Sequence, residues 1–163
     1  GHFMLNHIEE NTNINFIGVD HRFKRSFNLA KKLNTITNDN FRYLRARGER
    51  LNHLFSDNEI NKIYYFFPDP WPKKRHHRRR FVTPEHLEAL AVVMHQGAEL
   101  RVATDIEDYV RQTLEQVPRA GFEWTAESNA DWKEPWRDWV STRYEQKALR
   151  EGRTPHYLTF IRK

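Results

Sequence analysis

The sequence predicts an α/β fold built on a doubly wound, mostly parallel sheet, and three observations predict it. Strand-like runs alternate with helix-like ones along the chain. One of them, Ile63 to Phe67, is apolar throughout, as a strand covered on both faces of a parallel sheet must be. Asp20, Asp69 and Asp105 fall at the ends of three such runs, and sheets of this kind bind ligands beyond the carboxyl ends of their strands.

The elements follow in order. Asn15 to Asp20 reads as a strand ending in an acid, and Phe23, Phe27, Ala30 and Leu33 then recur at helical spacing. Phe41 to Leu44 is a second short strand, and Ile63 to Phe67 a third. Thr83-Pro84-Glu85 is a helix start, with a capping hydroxyl and proline at the first helical position. Leu87, Leu90, Ala91 and Met94 give that helix its buried face, and Gly97 suits its end. Leu100 to Ala103 is the next strand, and Ile106, Tyr109, Val110, Thr113 and Val117 mark the next helix. Strands at Phe122–Thr125 and Tyr157–Ile161 flank a polar helix near Arg143 to Arg150. Trp132, Trp136 and Trp139 are spaced to share one helical face, which is a packing pattern. With no repeat, low-complexity stretch or linker, residues 1–163 read as a single domain.

Composition excludes several classes. A chain of 163 residues with 38% hydrophobic and 30% charged residues is globular rather than a disordered tail. Without cysteine it has no disulfide and no thiolate metal site, which agrees with a cytosolic setting. None of its nine histidines stands in a ligand spacing such as HExxH, so no metal is expected. No stretch approaches the roughly 18 apolar residues of a membrane span, and no signal-peptide pattern is seen. The net charge of +5 is concentrated, because six of the eight residues from Lys73 to Arg80 are Lys or Arg. Such a block fits a polyanion partner; taken alone, it fits a solvated basic turn as well.

What precedes the block decides between the two. Phe67-Pro68-Asp69-Pro70-Trp71-Pro72-Lys73-Lys74-Arg75-His76-His77-Arg78-Arg79-Arg80 joins an apolar strand to an acidic, proline-braced turn and then to the cations. This stretch resembles the signature of the bacterial tRNA (guanine-N7-)-methyltransferase family. The resemblance implies a Rossmann-like fold of the class I S-adenosylmethionine-dependent type. It also implies transfer of a methyl group from S-adenosyl-L-methionine to N7 of a guanine at position 46, in the tRNA variable loop. The Trp-Pro-Lys-Lys form is that of the bacterial enzymes, which need no partner subunit, so a monomer or homodimer is implied.

The resemblance also assigns residues. Asp69 is implied as the catalytic residue and as a cofactor contact, although an Asp before proline is also a common turn residue. Asp20 would bind the cofactor's ribose hydroxyls, where the family more often has Glu. Arg47 stands near the adenine position, in Leu44-Arg45-Ala46-Arg47-Gly48, and departs with Gly48 from the family's acid-or-amide plus alanine. Lys73 and Asp105 are implied as substrate-binding, as are Thr142, Arg143, Tyr144 and Glu145. Asp105 with Asp108 also makes a helix cap, and Thr142 with Glu145 a capping box. Lys74, Arg75, Arg78, Arg79 and Arg80 would meet the tRNA backbone, and Trp71 would either stack on a base or pack under the prolines.

One part of the pattern has no counterpart. The six glycines, Gly1, Gly18, Gly48, Gly97, Gly121 and Gly152, include no pair close enough for the glycine-rich turn of a nucleotide site. Gly1-His2-Phe3-Met4-Leu5 resembles the tail of the family's first motif, so the first strand and that turn are expected to be missing at the amino terminus. Two classes stay open on sequence: the enzyme, or a non-catalytic tRNA-binding remnant without a complete cofactor site.

Overall fold

The computed structural model describes residues 2–124 and 132–163. The chain divides into two compact units, Gly1–Arg50 with Asp138–Thr142, and Leu51–Arg137 with Arg143–Lys163.

The first unit holds helix α1 (His2–Glu10), strand β1 (Phe16–Val19), helix α2 (Phe23–Leu33) and strand β2 (Phe41–Leu44). β1 and β2 pair in parallel, Phe16 opposite Phe41 through Val19 opposite Leu44, and α2 supplies the crossover that parallel strands require. Gly18 lies where a β-carbon would come within 2.8 Å of both Met4 Sδ and a Tyr43 ring carbon, so a side chain there would force the thioether and the ring to move. Two asparagines brace the connections: Asn38 Nδ2 donates to Ile8 O at 3.0 Å, and Asn40 Nδ2 to Asn11 O and Ile14 O at 2.8 Å each. Of the apolar residues expected on α2, Leu33 is buried while Phe23 and Phe27 are exposed. Their rings lie 6.2 Å apart, with Lys31 Nζ 4.7 Å from the Phe27 centroid.

The second unit contains helix α3 (Leu51–Leu54), β3 (Ile60–Phe66), α4 (Pro84–Val93), β4 (Met94–Thr104), α5 (Glu107–Arg119), β5 (Phe122–Trp124), α6 (Arg143–Arg150) and β6 (His156–Arg162). Its sheet runs β3-β4-β6-β5. β3 is parallel to β4, whereas β6 is antiparallel to both β4 and β5. Three of the four strands therefore point the same way and only β6 is reversed, which makes the sheet mostly parallel. Leu87, Leu90 and Val93 of α4 join Leu100 and Val102 of β4, Tyr109, Val110 and Val117 of α5, Phe122 of β5, and Leu158 and Phe160 of β6 in one buried core. Burying side chains of this size contributes roughly 1.5–3 kcal/mol each.

Local chemistry overrides pattern in several places. Met94 opens β4 instead of closing α4, and Gly97, at φ +83°, lies within that strand instead of ending the helix. The register between β3 and β4 slips here, from Ile60 opposite Met94 to Lys62 opposite Glu99, so the extra β4 residues need a bend. Thr83 occupies the N-cap of α4, but its hydroxyl meets His86 Nδ1 at 3.0 Å and no backbone N–H. The three tryptophans share no helix. Trp132 (φ 60°) packs into the core of the second unit, Trp136 donates Nε1–H to Thr159 Oγ1 at 2.8 Å, and Trp139 lies 5.6 Å from Phe3 in the first unit. Thr125, the expected end of the fifth strand, lies outside the described residues.

Candidate active site

The carboxyl edge of the β3–β4 pair gathers most of the expected site residues. β3 leaves the sheet at Phe67, whose N–H still bonds Ala103 O at 2.7 Å and whose φ of 46° turns the chain away. Pro68, Asp69 and Pro70 follow, and Trp71 takes φ 42°. A bulky side chain in the left-handed region costs of order 1–3 kcal/mol and persists only where the surroundings fix it. Two such residues bracket Asp69, which stands exposed at the tip of this turn.

β4, the next strand over, ends at Thr104, so Asp105 lies on the same edge. Its side chain is only 9% exposed and forms an ion pair with Arg153. A helix end delivers that arginine. At the close of α6 the N–H of Gly152 bonds Leu149 O at 3.0 Å and that of Arg153 bonds Ala148 O at 2.9 Å. With Gly152 at φ +72°, this is a Schellman turn, and it needs a residue without a β-carbon.

Because β6 is reversed, its first residues also lie at this edge, His156 opposite Thr104 and Tyr157 opposite Ala103. The Tyr157 hydroxyl donates to Glu145 Oε1 of α6, and Glu145 is buried. Burial, with Glu145 beside it, pushes the Tyr157 hydroxyl's pKa well above the ordinary value, so it remains a donor. Tyr144, half exposed, stacks on Phe67 with centroids 6.5 Å apart and planes 17° from parallel. Arg143 is exposed.

The basic block occupies a 3₁₀ turn, Lys74–Arg79, capped by Lys73. Lys73, Lys74, Arg75, Arg78 and Arg79 are exposed. Arg79 places its guanidinium 4.9 Å from the centre of the Trp71 ring, and His76 meets the same ring edge-on at 5.9 Å. Trp71 thus packs against the block that follows it.

Arg80 does not behave like its neighbours, and its expected contact with the tRNA backbone is corrected here. The residue is 1% exposed. Its Nε donates to Pro70 O at 2.9 Å, Nη1 to Gln112 Oε1 at 2.8 Å, and Nη2 to Asp108 Oδ2 at 2.8 Å and to Trp71 O at 3.4 Å. The plane sits 5.0 Å over the Tyr109 ring. A buried guanidinium with its donors committed to four acceptors presents nothing to a phosphate. The bond from Arg80 holds the Asp108 carboxyl below its usual range. Burial pushes Tyr109 up to about 12, so it stays neutral against Tyr65, hydroxyl to hydroxyl at 3.2 Å.

Asp20, Arg47 and Thr142 belong to the first unit. Asp20 follows β1, keeps 27% of its side chain exposed, and accepts Arg22 N–H at 2.8 Å; its own N–H bonds Leu44 O at 3.2 Å. Arg47 is exposed in the loop after β2, and Thr142 is partly buried. Neither a metal-binding cluster nor a helix long and apolar enough to cross a membrane occurs among the described residues.

Sequence reasoning missed Arg153, Tyr157, Asp108 and Gln112, which hold the nominated residues in place. Only Arg153 carried a signal, following a glycine placed to end a helix; the others look like ordinary helix and strand residues.

A family model described as "Putative methyltransferase" matches residues 1–158. The chain is 55% identical to a tRNA (guanine-N(7)-)-methyltransferase of Ruegeria pomeroyi, covering 99% of this chain and 68% of that one. A relative of the same name from a Ruegeria species is 52% identical, covering 99% and 64%. The chain thus spans about two-thirds of the length of these curated relatives. Among solved structures, the 16S rRNA methyltransferase KamB superposes with a TM-score of 0.69 at 16% identity, over 99% of this chain and 83% of that one. That likeness shows the Rossmann-like fold of class I methyltransferases. Together with the FPDPW turn and the acids at successive strand ends, these matches establish that the chain belongs to the tRNA (guanine-N7-)-methyltransferase family, S-adenosylmethionine-dependent enzymes.

Proposed function

We propose that this chain transfers a methyl group to N7 of a guanine in tRNA, at position 46 of the variable loop, with Asp69 as its catalytic residue. One observation carries the reading: an exposed carboxylate at the carboxyl edge of β3, followed at once by five exposed cations. S-adenosylmethionine, when bound, supplies an electrophilic methyl on a sulfonium centre. Among the residues present, the partly exposed carboxylate of Asp20 at the end of β1 suits its ribose diol. Arg47 and Asp69 are its further proposed contacts.

Guanine N7 already carries a lone pair, so no general base is required. The nitrogen–carbon bond forms as the sulfur–carbon bond breaks, no proton moves, and the base leaves positively charged. Asp69 holds the donor edge of the guanine and offsets the charge that grows on the ring, an electrostatic contribution largest in the transition state. Lys73 binds substrate beside it, and Asp105, Thr142, Arg143, Tyr144 and Glu145 complete the substrate contacts. Lys74, Arg75, Arg78 and Arg79 hold the tRNA backbone through salt-sensitive contacts. On this reading residues 1–163 belong to one methyltransferase domain, a cytosolic monomer or homodimer.

The test is transfer of labelled methyl from S-adenosylmethionine to an unmodified tRNA transcript, beside a transcript with its variable-loop guanine replaced. Incorporation into the first alone is expected. Equal incorporation into both would refute the site assignment. Binding of tRNA without incorporation would favour the non-catalytic remnant.

A further inference from the structure

Arg80 donates to the carbonyls of Pro70 and Trp71, the two residues directly after Asp69, and on its far side to Asp108 and Gln112 of α5. Gln112 in turn donates to Val82 O at 2.9 Å, so the clamp closes on both ends of the basic block. We propose that Arg80 is a positioning residue for catalysis: it fixes the FPDPW turn on α5 and thereby aims the Asp69 carboxylate. This rests on the reading of Asp69 as the catalytic residue.

The physical case has three parts. The turn carries Phe67 and Trp71 at positive φ, a conformation that relaxes unless bonds from outside oppose it. Besides its proline-limited backbone, the turn receives two bonds from Arg80, both at the carboxyl side of Asp69. Only a planar fork reaches two carbonyls, a carboxylate and an amide together while stacking on a ring; a lysine ammonium in the same place cannot. The run of cations is therefore divided by the fold, with Arg79 turned to solvent and Arg80 turned inward.

The experiment compares wild type with Arg80→Lys, Arg80→Gln and Gln112→Ala. The last removes the two clamp bonds of Gln112, from Arg80 Nη1 and to Val82 O, and leaves the buried guanidinium in place, so it tests the idea even where an Arg80 variant fails to fold. Hydrogen exchange at the Asp69, Trp71 and Lys73 amides is read beside steady-state kinetics and the salt dependence of tRNA binding. Expected are faster exchange in the turn with α4 unchanged, and kcat lower by roughly tenfold or more in the Arg80 variants and several-fold in Gln112→Ala. The salt slope should match wild type, and Arg80→Lys should not rescue kcat.

A salt slope reduced by about 0.7–0.9 in Arg80→Gln would mark a phosphate contact and overturn the proposal. Unchanged exchange in the turn would overturn it too, and so would unchanged kcat. Exchange is read without turnover, so it tests the clamp even if wild type fails to methylate tRNA. That failure would sink the proposed activity by itself.

Discussion

Asp69 and Asp105 end neighbouring parallel strands, yet their circumstances differ. Asp69 stands exposed on a turn that left-handed residues and prolines hold out from the sheet. Asp105 is almost fully covered and neutralised by Arg153. An exposed carboxylate can be reached by a donor from a ligand. A paired one must share or give up its cation. Equivalent places in a topology thus carry unequal chemistry, and the difference is set by what the next segment of chain brings alongside.

The sharpest way to break this comparison is Asp69→Asn. Single-turnover methyl transfer should fall by about 10²–10³-fold, the scale of removing one electrostatic interaction from the transition state, with tRNA affinity nearly intact. Equal losses in rate and affinity would reduce Asp69 to a structural turn residue. Asp105→Asn should lower kcat/KM for tRNA by roughly tenfold, the scale of one charged hydrogen bond. Arg153→Met should cost less, and the double variant no more than Asp105→Asn alone, because the two side chains act as a pair. Additive losses would show that they act separately.

Replacing Arg78 and Arg79 together by Gln should weaken tRNA binding several-fold near 0.1 M salt. The salt slope should fall by roughly 0.7–0.9 for each phosphate that the pair meets in the wild type. An unchanged slope would remove both from the interface.

The smallest effect is at Asp108. Its folded carboxyl titrates below the ordinary value, chiefly because Arg80 bonds it, so it stabilises the fold while ionised. That contribution is full above about pH 4 and lost as pH falls through the lower folded value. Asp108 is 45% exposed, so screening holds it to about 1 kcal/mol or less. Urea midpoints of wild type and Asp108→Asn should differ at pH 7 and converge below about pH 4. A gap that widens in acid would reverse the assigned sign.

The alternation of strands and helices was legible because apolar periodicity is local, and all six observed strands overlap predicted ones. Met94 and Gly97 were misplaced since an apolar residue at helical spacing also suits the first position of a strand. The tryptophans kept helical spacing without a helix, because burial of each ring was decided by partners distant in sequence: Thr159 for Trp136, Phe3 for Trp139. In the site, Asp69 could be read from its own motif. Arg80 could not be separated from Arg79 in sequence, since one position along a 3₁₀ turn decides between solvent and interior. The Asp105–Arg153 pair joins the end of β4 to the close of α6, residues far apart in sequence that meet where the chain enters the return of β6.

That return has a further consequence for how the second unit assembles. β4 and β5 share no ladder; each is bonded to β6, which runs between them, Leu100 opposite Phe160 and Glu123 opposite Ile161. A nascent chain halted before His156 therefore has β5 without a neighbour and β4 with one open edge. Contacts this distant in sequence are slow to form, so the sheet should close as a late event, after β6 has left the ribosome. Until then the exposed edge of β4 is the place where such a chain would pair with another.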